Sequence, residues 1–536
     1  MTHFDFNLVD DPWIVARNVR GDVETVSMRE AFSRSHQLKE LAGELPSQDF
    51  AVLRVLLAVL YRVFNAEALR DKVESWQDLW EQTVLPVAGI DAYLDTWKSR
   101  FNLFDENEPF FQVADLRTVK GETKGIELLV PDSPNTTLFP QRRSIESLRP
   151  AEAARWLIHC QAYDISGIKS GAVGDARVKG GKGYPMGIGF AGWLGGITIV
   201  GDTLRETLLL NLVLDAEAHP VDLPIWEQPA LTSSERVGVK ANGPASLFTW
   251  PQRRVKLFPT ADGSVTNVLI ANGDPIDYQF QLPNEPMTGW RLSAPQSKKF
   301  GVNVYMPRTF NQGEQLWRGL NALLPTIATQ TDEFKPSKVL EWSGALAEEG
   351  VLPLDSVTRI KTVSVAYGPQ MASWDDIFAD SLAFNVQLAS SQSFAAKEKV
   401  LEAVRKAKAG VQALGRLAEN LEQAAGGSPN SYERVTEQAF AQLDQLFRPW
   451  LAEFDPDADV DGQLQSWVDQ IRRLLQSLGD QLVADSPPSA WVGRVISARN
   501  SEQVINVGQA MTWFRSSLNK QLPSDIDWEG ESSDRD

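Results

Sequence analysis

A chain of 536 residues with 43% hydrophobic content is long enough for several domains with sizeable cores. Its net charge of -18 argues against a protein that coats nucleic acid indiscriminately, while leaving room for local basic patches. A single cysteine, Cys160, excludes an internal disulfide and a multi-cysteine zinc site, and fits a reducing compartment.

Residues 1–13 (MTHFDFNLVDDPW) lack a basic n-region and an apolar h-region, so no signal peptide is expected and a cytoplasmic location is. The longest apolar run, around Val52–Leu60, falls short of the ~20 residues that span a bilayer. His3, His36, His159 and His219 are scattered, and no HExxH or GxSxG motif occurs. Metal or triad chemistry therefore has little support.

Residues 7–32 predict a β-hairpin leading into a helix, with Ser27-Met28-Arg29-Glu30 as the helix start. Asp49–Phe64 is apolar nearly all round and predicts a buried helix. Trp76, Trp80 and Trp97 mark further packed helices, and Glu108–Val113 a core strand or turn. From Lys120 to Arg149 the pattern dissolves into a long loop exposing Leu138-Phe139-Pro140 and Gln141-Arg142-Arg143. An apolar wedge beside cations suits a DNA minor groove, although a loop tucked back by Phe139 is the simpler reading of the same residues. Pro150–Ala162 reads as a helix.

Between Gly167 and Gly196 stand eleven glycines, interleaved with Lys169, Arg177, Lys179 and Lys182. Glycine weakens helices and strands, so such density suits backbone at positive φ or in close approach to another group. Cationic flexible backbone suggests a phosphate or nucleic-acid contact, and a long surface loop remains the alternative. Gly187–Gly192 fits GxGxxG, but β-prone Ile197–Val200 follows where a dinucleotide fold needs a helix; Gly181-Lys182 is followed by Gly183 and is no P-loop.

Leu204–Leu214 predicts a helix. Leu223–Val304 predicts short strands at Ile225-Trp226, Phe248–Pro251, Val265–Ile270 and Tyr278–Leu282, then Trp290–Ser293 and the pair Lys298-Lys299. Phe310–Ile327 predicts a helix, Thr362–Tyr367 a strand, Gly368–Ser373 a turn, and Trp374 onward another helix. Beyond about Ser390 glycine becomes rare and four amphipathic helices follow. Gly426-Gly427 ends the first, Ser428-Pro429 opens the second, and the fourth runs from Ser486-Pro487 through Trp491, Val495, Met511 and Phe514. The expected architecture is α+β: a large mixed body over 1–385, a four-helix bundle over 386–522, and an acidic disordered tail over 523–536.

Several stretches resemble one family when taken in order: Asn7–Ile14, Pro109-Phe110-Phe111-Gln112, Ser166–Gly171, Gly195–Asn211, Phe248-Thr249-Trp250-Pro251, Trp290–Lys299 and Tyr367–Ser373. The family is CasA, the large subunit of the type I-E CRISPR Cascade surveillance complex. The resemblance spans nearly the whole chain, with the bundle similar in layout more than in letters. It implies a non-catalytic subunit without cofactor or membrane partner; some members carry a four-cysteine zinc site, and with one cysteine this chain departs from them, so no metal is expected. Such a subunit recognises the protospacer-adjacent motif in double-stranded DNA, helps open the duplex, and presents the target to a recruited helicase-nuclease, while guide pairing reads the rest.

By this resemblance Gly180, Gly181 and Gly183 match a glycine loop that reaches the minor groove, flanked by Lys179 and Lys182. That groove is about 6 Å wide and displays a degenerate pattern. The family's wedge falls on Tyr367–Ser373, with Gln370 and Met371 at the tip and Met371 where a glutamine is expected. Phe139, Pro140 and Gln141 match a loop contacting the complex and the guide RNA handle. Lys298 or Lys299 is the candidate for a groove-reading lysine. Backbone and small subunits are expected partners of the chain, and the bundle is expected to meet the small subunits and the displaced strand through a basic face of Lys397, Lys399, Arg405, Lys406, Lys408, Arg472 and Arg473. Two rival readings stand beside this: an enzyme whose glycine loop binds a nucleotide phosphate, and a pure scaffold.

Overall fold

The helix Pro46–Phe64 is buried along almost its whole length, as a segment apolar on every face must be. It belongs to a computed structural model that describes residues 4–64, 71–132, 145–214, 221–311, 313–324, 333–498 and 501–523. Phe139, Pro140, Gln141 and all but the first residue of the expected tail lie outside the described residues. The chain divides into two units: Met1–Gly313, Ala328–Leu352 and Arg359–Ser381 form the first, and Glu314–Ile327, Pro353–Thr358 and Leu382–Asp536 the second.

In the first unit the opening hairpin is Ile14–Asn18 against Val23–Val26, with Leu38–Leu41 on the other edge. Ser27 then starts a helix: its hydroxyl accepts from Glu30 N while Glu30 accepts from Ser27 N, a complete capping box. Glu108–Val113 is a turn, with Phe111 at φ 56°. Two antiparallel ladders position the candidate site. Arg253–Pro259 pairs with Val265–Asn272, and Val357–Tyr367 is sandwiched between Gly196–Val200 and Trp374–Asn385.

Several sequence expectations are corrected here. Trp374 opens a strand, because the turn before it lays Trp374–Asn385 beside a finished strand, and pairing overrides local propensity. Leu204–Leu210 is a shorter helix than expected, ending at Asn211, whose side chain bonds Ile199. Where strands were expected, Ile225–Glu227 and Tyr278–Phe280 are 3-10 turns, and Phe248–Pro251 is the end of the helix Pro244–Phe248 and the turn after it. Among the described residues of Phe310–Ile327 the expected α-helix is replaced by a 3-10 segment at Leu316–Ala322, broken at Gly319.

In the second unit Phe394–Ala425 is the central helix and packs against Tyr432–Glu453, Val460–Ala484 and Val507–Gln521. Gly410 permits the closest approach, since a Cβ there would lie 2.6 Å from Leu475. Gly426 ends the central helix at φ 97°, its N–H and that of Gly427 returning to Glu422 O. The second helix starts at Tyr432, not Ser428-Pro429, because the Glu422 carboxylate takes the N–H groups of Asn430 and Ser431 and holds that segment as a turn. The expected fourth helix is split. Pro488–Val492 is one short turn, Arg494–Ala498 and Ser501–Ile505 form a hairpin, and the helix begins only after Asn506 caps it. Gly493 makes the break at φ 76°, where a Cβ would meet Ile505 O at 2.4 Å.

His159, on the helix Pro150–Tyr163, is buried, bonded through Nε2 to Ser47 Oγ at 2.9 Å and stacked between Tyr163 and Trp374. Burial pushes its pKa down to about 3, against a weaker opposing pull from Asp164. The unfolded chain therefore takes up a proton below pH 6.5 that the folded chain refuses, so stability falls with pH across that window. From pH 7 to pH 5 the expected cost is about 2 kcal/mol. Denaturant unfolding of wild type and His159→Gln at both pH values tests this; the difference between the two proteins must shrink on acidification.

Candidate nucleic-acid interface

The glycine stretch folds as a small hairpin. Lys169 and Ser170 pair with Gly183 and Lys182, and Lys179 and Lys182 exchange two backbone hydrogen bonds of 3.1 Å around Gly180-Gly181. Both glycines have positive φ, 58° and 73°, as a two-residue type I′ turn requires. A Cβ at either would meet nothing within 4 Å, so the outer side of the turn is open, while Gly181 O accepts from Gly171 N–H at 3.1 Å on its inner side. Lys179 and Lys182 are exposed on either side, without a carboxylate partner among the described residues.

Gly183 plays a different part. It is buried within the hairpin, and a Cβ would come within 3.0 Å of Asn272 Nδ2. Two of the four interleaved cations are withdrawn from any ligand. Lys169 Nζ is held 2.5 Å from Asp164. Arg177 makes two bonds to Asp175 and a third to Glu235. Ser233 and Ser234 brace the same loop through Val173 O and Gly174 O, both at 2.6 Å. No sequence motif announced that brace.

The neck of the loop closes on Arg253, which is 1% exposed. Its Nε donates to Asp164 Oδ2 at 2.6 Å, and its Nη2 to Ile165 O at 3.0 Å and Gly187 O at 2.7 Å. Burial opposes ionisation of Asp164, but Lys169 and Arg253 outweigh it and hold the carboxyl below its ordinary range. Lys169 is itself pulled down by burial, against the attraction of Asp164.

The second turn, Gly368–Ser373, tips the hairpin between Val357–Tyr367 and Trp374–Asn385. Gln370 and Met371 both lie in the left-handed region, at φ 57° and 56°. Non-glycine residues there cost on the order of 1–3 kcal/mol each. The conformation is enforced by Met371 N–H to Gly368 O at 2.9 Å, Gly368 N–H to Ser373 O at 3.0 Å, and Ser166 N–H to Met371 O at 2.7 Å. Below the turn Tyr367 Oη donates to Tyr163 O at 2.7 Å. Gln370 is exposed and Met371 half-buried. The fold thus links Met371 to the start of the glycine stretch, which sequence separation concealed.

Lys298 and Lys299 are exposed in the last turn of the helix Ala294–Phe300, where cations suit the helix dipole, and Lys299 Nζ lies 5.0 Å from the Phe300 ring. Among the described residues no hydrogen bond or ion pair joins them to the Gly180-Gly181 turn. The seven bundle cations do not form one unpaired face. Lys397 is buried and donates to Ser390 O. Lys399 pairs with Asp461 at 2.6 Å, Lys406 with Glu402 and Arg405 with Glu398 at 3.6 Å each. Arg472 bonds Leu522 O and Asn519, and Arg473 bonds Asp469 O. Lys408 lines a cleft with Arg318, Tyr432 and Glu437.

Among the described residues no helix is long and apolar enough to cross a membrane, and no group of three or more His, Cys, Asp or Glu is placed to hold a metal. The molecule comprises an α+β unit, which carries the candidate site as a pair of turns, and a largely helical unit. The model of the CRISPR-associated protein Cse1 family matches residues 7–478. A CasA/Cse1 protein of Thermus thermophilus is 30% identical over 329 residues, a match covering 60% of each chain. The crystal structure of Thermobifida fusca Cse1 superposes with a TM-score of 0.89 at 37% identity, over 97% of this chain and 98% of that one. A chain of a CRISPR RNA-guided surveillance complex shares the fold, with a TM-score of 0.65 at 19% identity over 89% of this chain and 99% of its own. The chain belongs to the Cse1 (CasA) family.

Proposed function

We propose that this chain is the large subunit of a guide-RNA surveillance complex, and that its Gly180-Gly181 turn reads the protospacer-adjacent motif from the minor groove. The observation that carries the reading is the bare turn itself: two glycines at positive φ, with open space at both Cβ positions, between two exposed lysines. Side-chain-free backbone fits a narrow groove, and Lys179 and Lys182 supply local phosphate contacts on a chain of net charge -18. The hairpin tip at Gln370-Met371 acts as the wedge that parts the first base pair, held rigid in advance by its backbone bonds. The subunit itself does no chemistry; it presents opened DNA to a helicase-nuclease. The likeness in fold to a chain of a CRISPR RNA-guided surveillance complex supports assembly with guide RNA and further subunits.

The reading is tested by assembling the complex with and without this chain and measuring binding to targets with a correct or scrambled adjacent motif. Discrimination must depend on the chain; equal discrimination without it rejects the proposal. For the wedge, Gln370→Gly with Met371→Gly removes both side chains while relieving the left-handed strain. Duplex opening, followed by base fluorescence in stopped flow, is expected to slow about tenfold, a loss of ~1.4 kcal/mol. Opening at the wild-type rate would remove this turn from the mechanism.

A further inference from the structure

The two turns are joined by a single buried device. Arg253 Nη2 reaches Ile165 O at the entrance of the glycine loop and Gly187 O at its exit, so one guanidinium closes the loop's neck. Asp164 anchors the guanidinium and also takes Lys169, the first residue of the glycine hairpin. Arg253 is fixed from its own strand as well, its N–H donating to Gln161 Oε1 at 2.8 Å. Between Asp164 and Gly167 the backbone turns to solvent on one side and to the second turn on the other, where Ser166 N–H meets Met371 O at 2.7 Å. Met371 is one of the two residues of this turn held in a left-handed conformation, so its carbonyl direction depends on that bond. A displacement of the glycine hairpin transmitted to its neck therefore reaches the wedge hairpin through Ser166 N–H on Met371 O, beside the Tyr367 Oη bond to Tyr163 O at its base.

We infer that Arg253, with Asp164, is a positioning residue that couples seating of the glycine turn in the groove to the setting of the Gln370-Met371 wedge. The inference rests on the reading proposed above and adds a dependence of one turn on the other. Ion-paired burial makes the clamp rigid: a fork of N–H donors on fixed carbonyls transmits movement, where a single-point contact swivels.

The experiment uses the assembled complex. Arg253→Lys keeps the charge beside Asp164 but loses the fork to Ile165 and Gly187. Ser166→Pro deletes the one N–H that reaches Met371. For each variant, affinity for motif-bearing duplex and the rate of duplex opening are measured, and opening is repeated on a target already mismatched at the first base pairs. The expected result is motif affinity within threefold of wild type, opening slowed about tenfold, and full recovery on the pre-opened target. A merely destabilised subunit would not be rescued by mismatches. Opening at the wild-type rate in both variants, or a defect that persists on the pre-opened target, overturns the coupling. Loss of motif affinity equal to the loss of opening also overturns it, because the clamp would then serve the glycine turn alone. Failure of the underlying reading is separately visible: in that case Gly180→Asn with Gly181→Asn leaves motif discrimination intact.

Discussion

Replacing Gly180 and Gly181 together by asparagine is expected to reduce motif-dependent DNA affinity of the assembled complex at least tenfold, about 1.4 kcal/mol, without unfolding the subunit. Asparagine tolerates the left-handed conformation that both positions adopt, so the type I′ turn survives. Neither new Cβ would meet an atom within 4 Å, so the cost to the free protein is small. The side chains then matter only if another surface presses against the turn. Lys179→Gln with Lys182→Gln should behave differently. Removing two phosphate contacts weakens binding to every sequence alike and reduces the slope of log K on log salt by about 1.8. The asparagine pair should abolish preference for the correct motif, and the glutamine pair should preserve it. Gly183→Ala belongs to neither class: it crowds Asn272 inside the hairpin, and its effect should appear in stability. Titrations at three salt concentrations, with correct and scrambled motifs, separate the outcomes. Wild-type discrimination in the asparagine variant would remove the turn from motif reading.

The parts of this molecule legible in its sequence are those set by short-range pattern. Val400, Val404, Val411, Leu414, Leu417 and Leu421 share a stripe, and all six are buried on one helix. Ser27 and Glu30 are three residues apart, as a capping box demands, and form one. The Gly180-Gly181 pair between lysines carried its turn chemistry openly. The hairpin of Arg494–Ala498 and Ser501–Ile505 replaces the expected helix because Trp491–Val495 and Met511–Phe514 are each helically spaced but lie on opposite faces of one continuous helix; the local signal for the break is Gly493 followed by β-branched Val495 and Ile496. The strand at Trp374 had no local signature and exists through its pairing partner. The clamp was out of reach for a simpler reason. Arg253 and Asp164 lie 89 positions apart, and nothing in either neighbourhood says which arginine a buried aspartate will meet. Charge counting was similarly blind: of Lys169, Arg177, Lys179 and Lys182, the sequence could not say that the first two are spent on internal carboxylates.

A buried pair in the first unit carries the largest expected effect on stability. Arg54, in the middle of the helix Pro46–Phe64, lies 2.7 Å from Glu285, with side chains 3% and 0% exposed. The guanidinium also sits 4.0 Å from the Phe248 ring, and Glu285 accepts from Met287 N–H at 2.9 Å. Arg54→Met keeps most of the volume but leaves a carboxylate in an apolar site, at an expected cost of about 3–5 kcal/mol. Adding Glu285→Gln should recover most of that, because the remaining amide needs hydrogen bonds and no counter-charge. Burial already raises the Glu285 pKa, with Arg54 opposing, so removing Arg54 raises it further. The folded carboxyl then binds its proton more tightly than the unfolded one. Its contribution to stability is present below the ordinary glutamate range and is lost as pH rises through the folded value. The deficit of Arg54→Met should therefore be smallest near pH 4 and largest above pH 7, while the double variant shows no such trend. Denaturant midpoints for the wild type, both single variants and the double variant, at pH 5 and pH 8, close the cycle. Equal deficits for Arg54→Met at the two pH values, or a double variant no more stable than the single, would mean that the pair contributes packing and not charge.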